Sequence, residues 1–187
     1  MRKAVFLTAT LLVASVTSAF ANEPRDPVVA LMAVADGIEG NSEASDYFDE
    51  VLLTSIYSAS FAQVYRMAVL GDQLLDLQGE MTGQDEVVVS QDPCEMKDLK
   101  IVPRPAKDKV TPVDVYFDVS SCWGNDPHLD QPSLTVHVVS ENGRYVIDNF
   151  WNSDYDGGRL ETSVKAKFAA LAKRYVDDML TSRFSPE

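Results

Sequence analysis

The chain has 187 residues, with 16 Lys and Arg against 29 Asp and Glu, a formal net charge of −13 and 45% apolar residues. Such acidity excludes a nucleic-acid binder, which needs clustered Lys and Arg to neutralise phosphates. The apolar content excludes a disordered chain, and the length fits one globular domain.

Arg2 and Lys3 precede an apolar run over 4–16, and Ala19-Phe20-Ala21 stands just ahead of Asn22. This is the pattern of a secretory signal peptide, and its small-x-small triplet predicts cleavage after Ala21. The run is short for an uncleaved anchor, and no Cys stands at position 22 to accept a lipid. Residues 22–187 are therefore expected to form the exported, periplasmic or secreted domain, with no transmembrane segment after cleavage. Losing Arg2 and Lys3 with the leader takes the formal net charge from −13 to −15.

Export gives meaning to Cys94 and Cys122, the only two cysteines. In an oxidising compartment a bond between them is the expected state. Closing a loop of that size stabilises a fold by about 3.5 kcal/mol in the chain-entropy picture. A redox or metal pair is the rival reading, but there is no Cys-x-x-Cys and no His at ligand spacing to a Cys.

Asp26 and Pro27 suit a helix start, and Val28, Leu31, Met32, Ala35 and Ile38 recur at helical spacing before Gly37, Gly40 and Asn41. A second helical stretch is predicted over 44–70, carrying Phe48, Val51, Leu52, Ile56, Ala59, Ala62 and Tyr65. A bend is expected at 53–55, where Thr54 and Ser55 compete for backbone hydrogen bonds, and Gly71 reads as its stop. The periodicity then changes, predicting five strands over 86–90, 99–102, 110–120, 133–140 and 144–151. In the third, Val113, Val115, Phe117 and Val119 share one face while Asp114, Tyr116 and Asp118 share the other. Pro112 should confine the start of that strand to an edge or bulge. Glu141-Asn142-Gly143 signals a hairpin. An amphipathic helix closes the chain over about 160–181, with Leu160, Val164, Phe168, Leu171, Tyr175, Val176 and Met179 as its apolar stripe. Helices segregated from antiparallel strands give an α+β single domain.

Two segments carry a resemblance to a known superfamily. They are the Val-x-Val-x-Phe-x-Val strand at 113–119 and the hairpin over 134–150, an apolar strand, an acidic-x-Gly turn and an aromatic-x-Ile-Asp strand. With the helix order before them, they resemble the nuclear transport factor 2-like superfamily, over roughly residues 27–151. Ser90-Gln91-Asp92 followed by 98–101 is similar to an exported bacterial group within it that carries a domain of unknown function. The resemblance implies a cone-like fold in which N-terminal helices pack on a strongly bent antiparallel sheet. It does not choose an activity, because such folds host isomerases, dehydratases, ligand binders and transport factors.

An enzyme on such a cone needs an acid or base desolvated in an apolar cavity and a group to stabilise an oxyanion. Asp114, Asp118 and Asp148 are the carboxylate candidates, with Tyr57, Tyr65 and Tyr116 as donors and His137 as the remaining base, its face undetermined by the pattern. The economical reading of Asp114, Tyr116 and Asp118 is a solvated outer sheet face, and Asp148 reads as a surface or hairpin residue. His128 lies in a turn-rich loop and reads as functionless. There is no Gly-x-Ser-x-Gly, no His-Glu-x-x-His and no phosphate loop. Asn152, Asp154 and Asp156 with Gly157 occupy calcium-loop positions, but Ser163 stands where the bidentate Glu belongs, so turn and cap chemistry explains them better. No cofactor is implied.

Three functions stay open. The favoured one is a non-catalytic domain holding a small apolar or amphipathic ligand in a pocket lined by Tyr57, Phe61 and Tyr65, although aromatics at helical spacing more often fill a core. The second is an interaction or inhibitor module that meets an envelope protein, with Asp114, Tyr116 and Asp118 facing a basic partner. The third is an isomerase- or dehydratase-like enzyme using a cavity Asp or His with a Tyr. A filled interior with an exposed apolar patch would favour the interaction module.

Overall fold

The computed structural model describes residues 23–38, 46–75, 86–88, 94–124, 129–152 and 162–184. The leader at 1–21, the loop histidine His128, and Asp154 and Asp156 of the calcium-like stretch lie outside them. The architecture is α+β in one domain, as the segregation of helices and strands predicts.

Helix α1 (Asp26–Ile38) begins at Asp26, whose negative charge suits a helix N-terminus and whose neighbour Pro27 has no amide to leave unpaired there. Val28, Leu31, Met32 and Ala35 form its buried stripe. The helical stretch expected over 44–70, with a bend between a short helix and a longer one, is α2 (Glu50–Ser55) followed by α3 (Ala59–Leu75). Asp49 caps the first, accepting from the Leu52 amide at 2.7 Å, and Ser58 caps the second, accepting from the Phe61 amide at 3.0 Å. Thr54 and Ser55 do bond back to helix carbonyls, but the break falls just after them. There the Ile56 carbonyl and Ser58 amide leave the helix to pair with the Ile147 amide and carbonyl at 2.7 and 2.8 Å.

Four antiparallel strands are present among the described residues, in the order β1 (Lys97–Pro103), β2 (Val110–Asp118), β3 (Leu134–Glu141), β4 (Arg144–Asn152). The expectation of a further strand at 86–90 is corrected where it is described: 86–88 form a turn. Val87 is fully buried there, so the apolar run joins the core from a turn. Asn152 Nδ2 donates to the Glu86 carbonyl at 2.7 Å, and the Glu86 carboxylate pairs with Lys167. Pro112 stands where β2, although a central strand, extends past the last β1 pair, Pro103 with Val113, so the start of β2 is an edge on that side as expected. The Pro112 carbonyl accepts from the Arg104 amide, beyond the end of β1. The missing amide therefore points the same way, past the point where β1 needs a partner. Asn142 and Gly143, with φ of 53° and 77°, make the tight β3–β4 turn.

Val113, Val115 and Phe117 of β2, Leu134, Val136 and Val138 of β3, and Ile147 and Phe150 of β4 form the sheet side of the core. Helix α4 (Val164–Phe184) closes it. Ser163 caps this helix, accepting from the Ala166 amide at 3.2 Å and from Asn149 Nδ2 at 3.0 Å.

Cys94 and Cys122 are joined, with Cα atoms 5.8 Å apart. The bond closes the open end of the β1–β2 hairpin, next to the Cys94 amide bonding the Val119 carbonyl at 2.8 Å. Strand β1 is a mostly exposed edge, so covalent closure supplies what burial does not.

Candidate functional site

Of the pocket expected at Tyr57, Phe61 and Tyr65, the first two are packed solid in the core, and Tyr65 stands at its margin. Phe61 stacks on Tyr57 with ring centroids 4.6 Å apart, Phe48 lies 4.7 Å from Tyr65, and Phe150 and Phe168 complete the cluster. Tyr57 and Phe61 are fully buried, while Tyr65 is half-buried at the margin. These aromatics are the core itself. Burial, reinforced by Asp46, pushes the Tyr65 phenol up to about 12. The same two causes, with Tyr47, Tyr65 and Asp49 adding to them, hold Tyr57 well above its ordinary value. Tyr57 thus stays a neutral phenol, and its buried hydroxyl has no hydrogen-bond partner.

The sheet face opposite the core carries Asp114, Tyr116, Asp118 and His137, as the alternation of β2 predicts, but its carboxylates are not solvated. Asp114 is buried, accepting from Thr135 Oγ1 at 3.1 Å and pairing with Arg104 Nε at 3.0 Å. Asp118 is buried and holds the turn after β2, accepting from the Ser120 and Ser121 amides at 2.9 and 3.1 Å. Burial pushes its carboxyl up, but the Ser121 and Ser120 hydrogen bonds outweigh this and keep the pKa below the ordinary value. Both acids are structural, which corrects the reading of a charged docking face. Tyr116 lies under the Lys100 ammonium at 5.7 Å, and His137 meets Trp151 edge-on at 4.4 Å. The register pairs Pro112 with His137 and Asp114 with Thr135, which puts His137 on this same face.

Asp148 is not a simple hairpin residue either. His137 pairs with Asn149 and Val138 with Ile147, so Asp148 is the extra residue of a β-bulge. Its Oδ1 accepts from Ser58 Oγ at 2.7 Å and from Lys165 Nζ at 2.8 Å. Burial pushes its carboxyl up, yet Lys165, Ser58 and the nearby His137 bring the pKa below the ordinary value. A Ser, a Lys and an Asp within hydrogen-bond reach invite a nucleophilic reading. Ser58 is nevertheless buried and committed as the α3 cap, so the cluster joins α3, α4 and β4. Asp114, Asp118 and Asp148 are thus each committed on the sheet or its bulge rather than to the aromatic cluster around Tyr57. Asn152 is buried at the end of β4 with its amide committed to Glu86. Among the described residues no group of three metal-ligating side chains occurs.

The surface that sequence reasoning missed lies on α3 and α4. Gly71, predicted to end α3, sits inside it, because a Cβ there would stand 2.8 Å from Tyr175 Cβ. Phe168 packs against Phe61 and Tyr65, and Tyr175 against Gly71, so the two helices run parallel and approach closely. With Gly71 and Tyr175 facing each other, steps of about 100° per residue place Met67, Leu70 and Leu74 on one side of the pair. The same steps place Val176 and Leu180 on that side too. All five are exposed, Leu74 by 59% and Leu180 by 52%. Leu70 also borders an open groove of about 520 Å³ lined by Phe48, Leu53 and Tyr65 and rimmed by the Glu50–Arg66 ion pair. The signal was present in the sequence as apolar positions past Gly71 and past Tyr175, more than one core needs to cover.

Comparison with protein-family models, with curated proteins and with solved structures finds no match.

Proposed function

We propose that this chain is an exported, non-catalytic binding module on the nuclear transport factor 2-like plan, and that it recognises a protein partner through α3 and α4. One observation carries the reading: the interior is filled by aromatics, while five of the exposed large apolar residues, Met67, Leu70, Leu74, Val176 and Leu180, gather on one side of two helices. Exposed side chains of this kind scattered singly need no explanation, but a contiguous row on a rigid helix pair is what interaction sites display. The bonded Cys94–Cys122 pair suits the oxidising compartment to which the leader points.

The test is photocrosslinking in the producing cell, with a benzophenone side chain at position 74 or 180 and a control at position 107 on the β1–β2 turn. Discrete adducts from 74 and 180 and none from 107 are expected. Equal labelling at all three, or none, would remove the proposal.

A second reading keeps a small amphipathic ligand in the groove beside Phe48 and Tyr65. The apolar lining of that groove, with Phe48, Leu53, Tyr65 and Leu70, favours it. Native mass spectrometry of the exported protein decides: a retained small molecule supports this reading, and an apo mass removes it.

A further inference from the structure

We infer that the occupant of the α3–α4 face is a second copy of this chain, packed helix pair against helix pair about a two-fold axis. The inference rests on the proposed interaction role and names its partner. Met67, Leu70 and Leu74 recur at i, i+3 and i+7 along α3, the seam spacing of bundled helices, and Val176 and Leu180 stand at i and i+4 along α4. Two helices carrying such rows on one common side are half of a four-helix bundle. A half-bundle is self-complementary under a two-fold rotation, since each row meets its own counterpart.

Charge separates this occupant from a basic foreign partner. A chain of formal net charge −13 repels its own copy wherever its acids are unpaired. Two acids beside the apolar rows are paired within the protomer, Glu50 with Arg66 on the α2 side and Asp177 with Lys173 on the outer side of α4. The same helical geometry that gathers the apolar rows turns Asp72 and Asp178 to the opposite side. A basic partner would need free acids here, whereas an apolar face whose neighbouring acids Glu50 and Asp177 are already paired lets two acidic molecules meet. Gly71 contributes by letting α3 and α4 approach closely, so that both rows belong to one surface.

The test is sedimentation velocity of the full mature, disulfide-bonded protein over a concentration series, for the unsubstituted chain and for Leu74→Glu and Leu180→Glu. The unsubstituted chain is expected to be a dimer. Each substitution should raise the dissociation constant on the order of 100-fold, with far-UV circular dichroism and the monomer's melting temperature unchanged, because both positions are exposed. A dimer that ignores both substitutions lies on another surface and overturns the inference. A monomeric protein whose position-74 crosslinks have a foreign mass overturns the inference but leaves the interaction role standing. A monomer without crosslinks removes both.

Discussion

The two ends of the α3–α4 pair are built from similar residues and put to opposite uses. Near their N-termini, Phe61 and Phe168 are fully buried in the aromatic cluster, whereas beyond Gly71 and Tyr175 the apolar residues Leu74, Val176 and Leu180 stand in solvent. Apolarity alone therefore does not distinguish a residue that holds the fold from one that meets a partner. What distinguishes them is whether the sheet reaches that far: β2, β3 and β4 supply the second layer for the lower halves, and nothing among the described residues supplies one for Leu74 and Leu180.

The sharpest way to break this contrast is truncation at each end. Phe61→Ala should cost about 3–5 kcal/mol, as loss of a fully buried ring does, while Leu74→Ser should change the monomer's stability by no more than about 0.5 kcal/mol. Urea titration at low protein concentration measures both, and similar values would erase the distinction. Replacing Cys94 and Cys122 by Ala should cost about 3.5 kcal/mol, seen as a lower urea midpoint. Where the two ends meet, Gly71→Ala gains about 1 kcal/mol of helix propensity but forces Tyr175 away. The expected result is a net loss of about 1 kcal/mol, because overpacking of this kind typically costs 1–3. A gain in melting temperature would show that the helices do not need that close approach.

The smallest effect concerns pH. Asp118 and Asp148 both titrate below the ordinary carboxylate value when folded. Their stabilisation is present above the unfolded pKa of about 3.9 and lost as pH falls through their lower folded values. Melting temperature should therefore drop on acidification below about pH 4, and less steeply in Asp148→Asn. An unchanged slope in that variant would mean that Lys165 and Ser58 do not hold the carboxylate ionised.

The elements that obey one periodicity were legible in the sequence. The Val113-Val115-Phe117 face, the Asn142-Gly143 hairpin and the α1 stripe follow directly from it. Where two explanations share one pattern, the sequence could not choose. Gly71 at the end of a periodic run looks like a helix stop, and only the position of Tyr175 shows it to be a crossing point. Val87, Val88 and Val89 look like a strand, but Val87 is buried in a turn whose neighbour Glu86 is held by Asn152 and Lys167 from distant parts of the chain. Phe61 as pocket wall and Phe61 as core filler have the same spacing. Asp114 looked solvated because alternation reports which face a residue takes, not whether Arg104 and Thr135 cover it there.

The bulge at Asp148 has a mechanical meaning. Its carboxylate receives Ser58 at the start of α3 and Lys165 in the first turn of α4, so two levers share one fulcrum. Helix α3 has 17 residues, an arm of roughly 25 Å at 1.5 Å per residue. A tilt of about 5° at that fulcrum moves the far end by about 2 Å over such an arm, enough to lift one apolar row out of line with the other. One acidic side chain at the sheet edge can in this way set the alignment of a surface at the other end of the molecule without touching it.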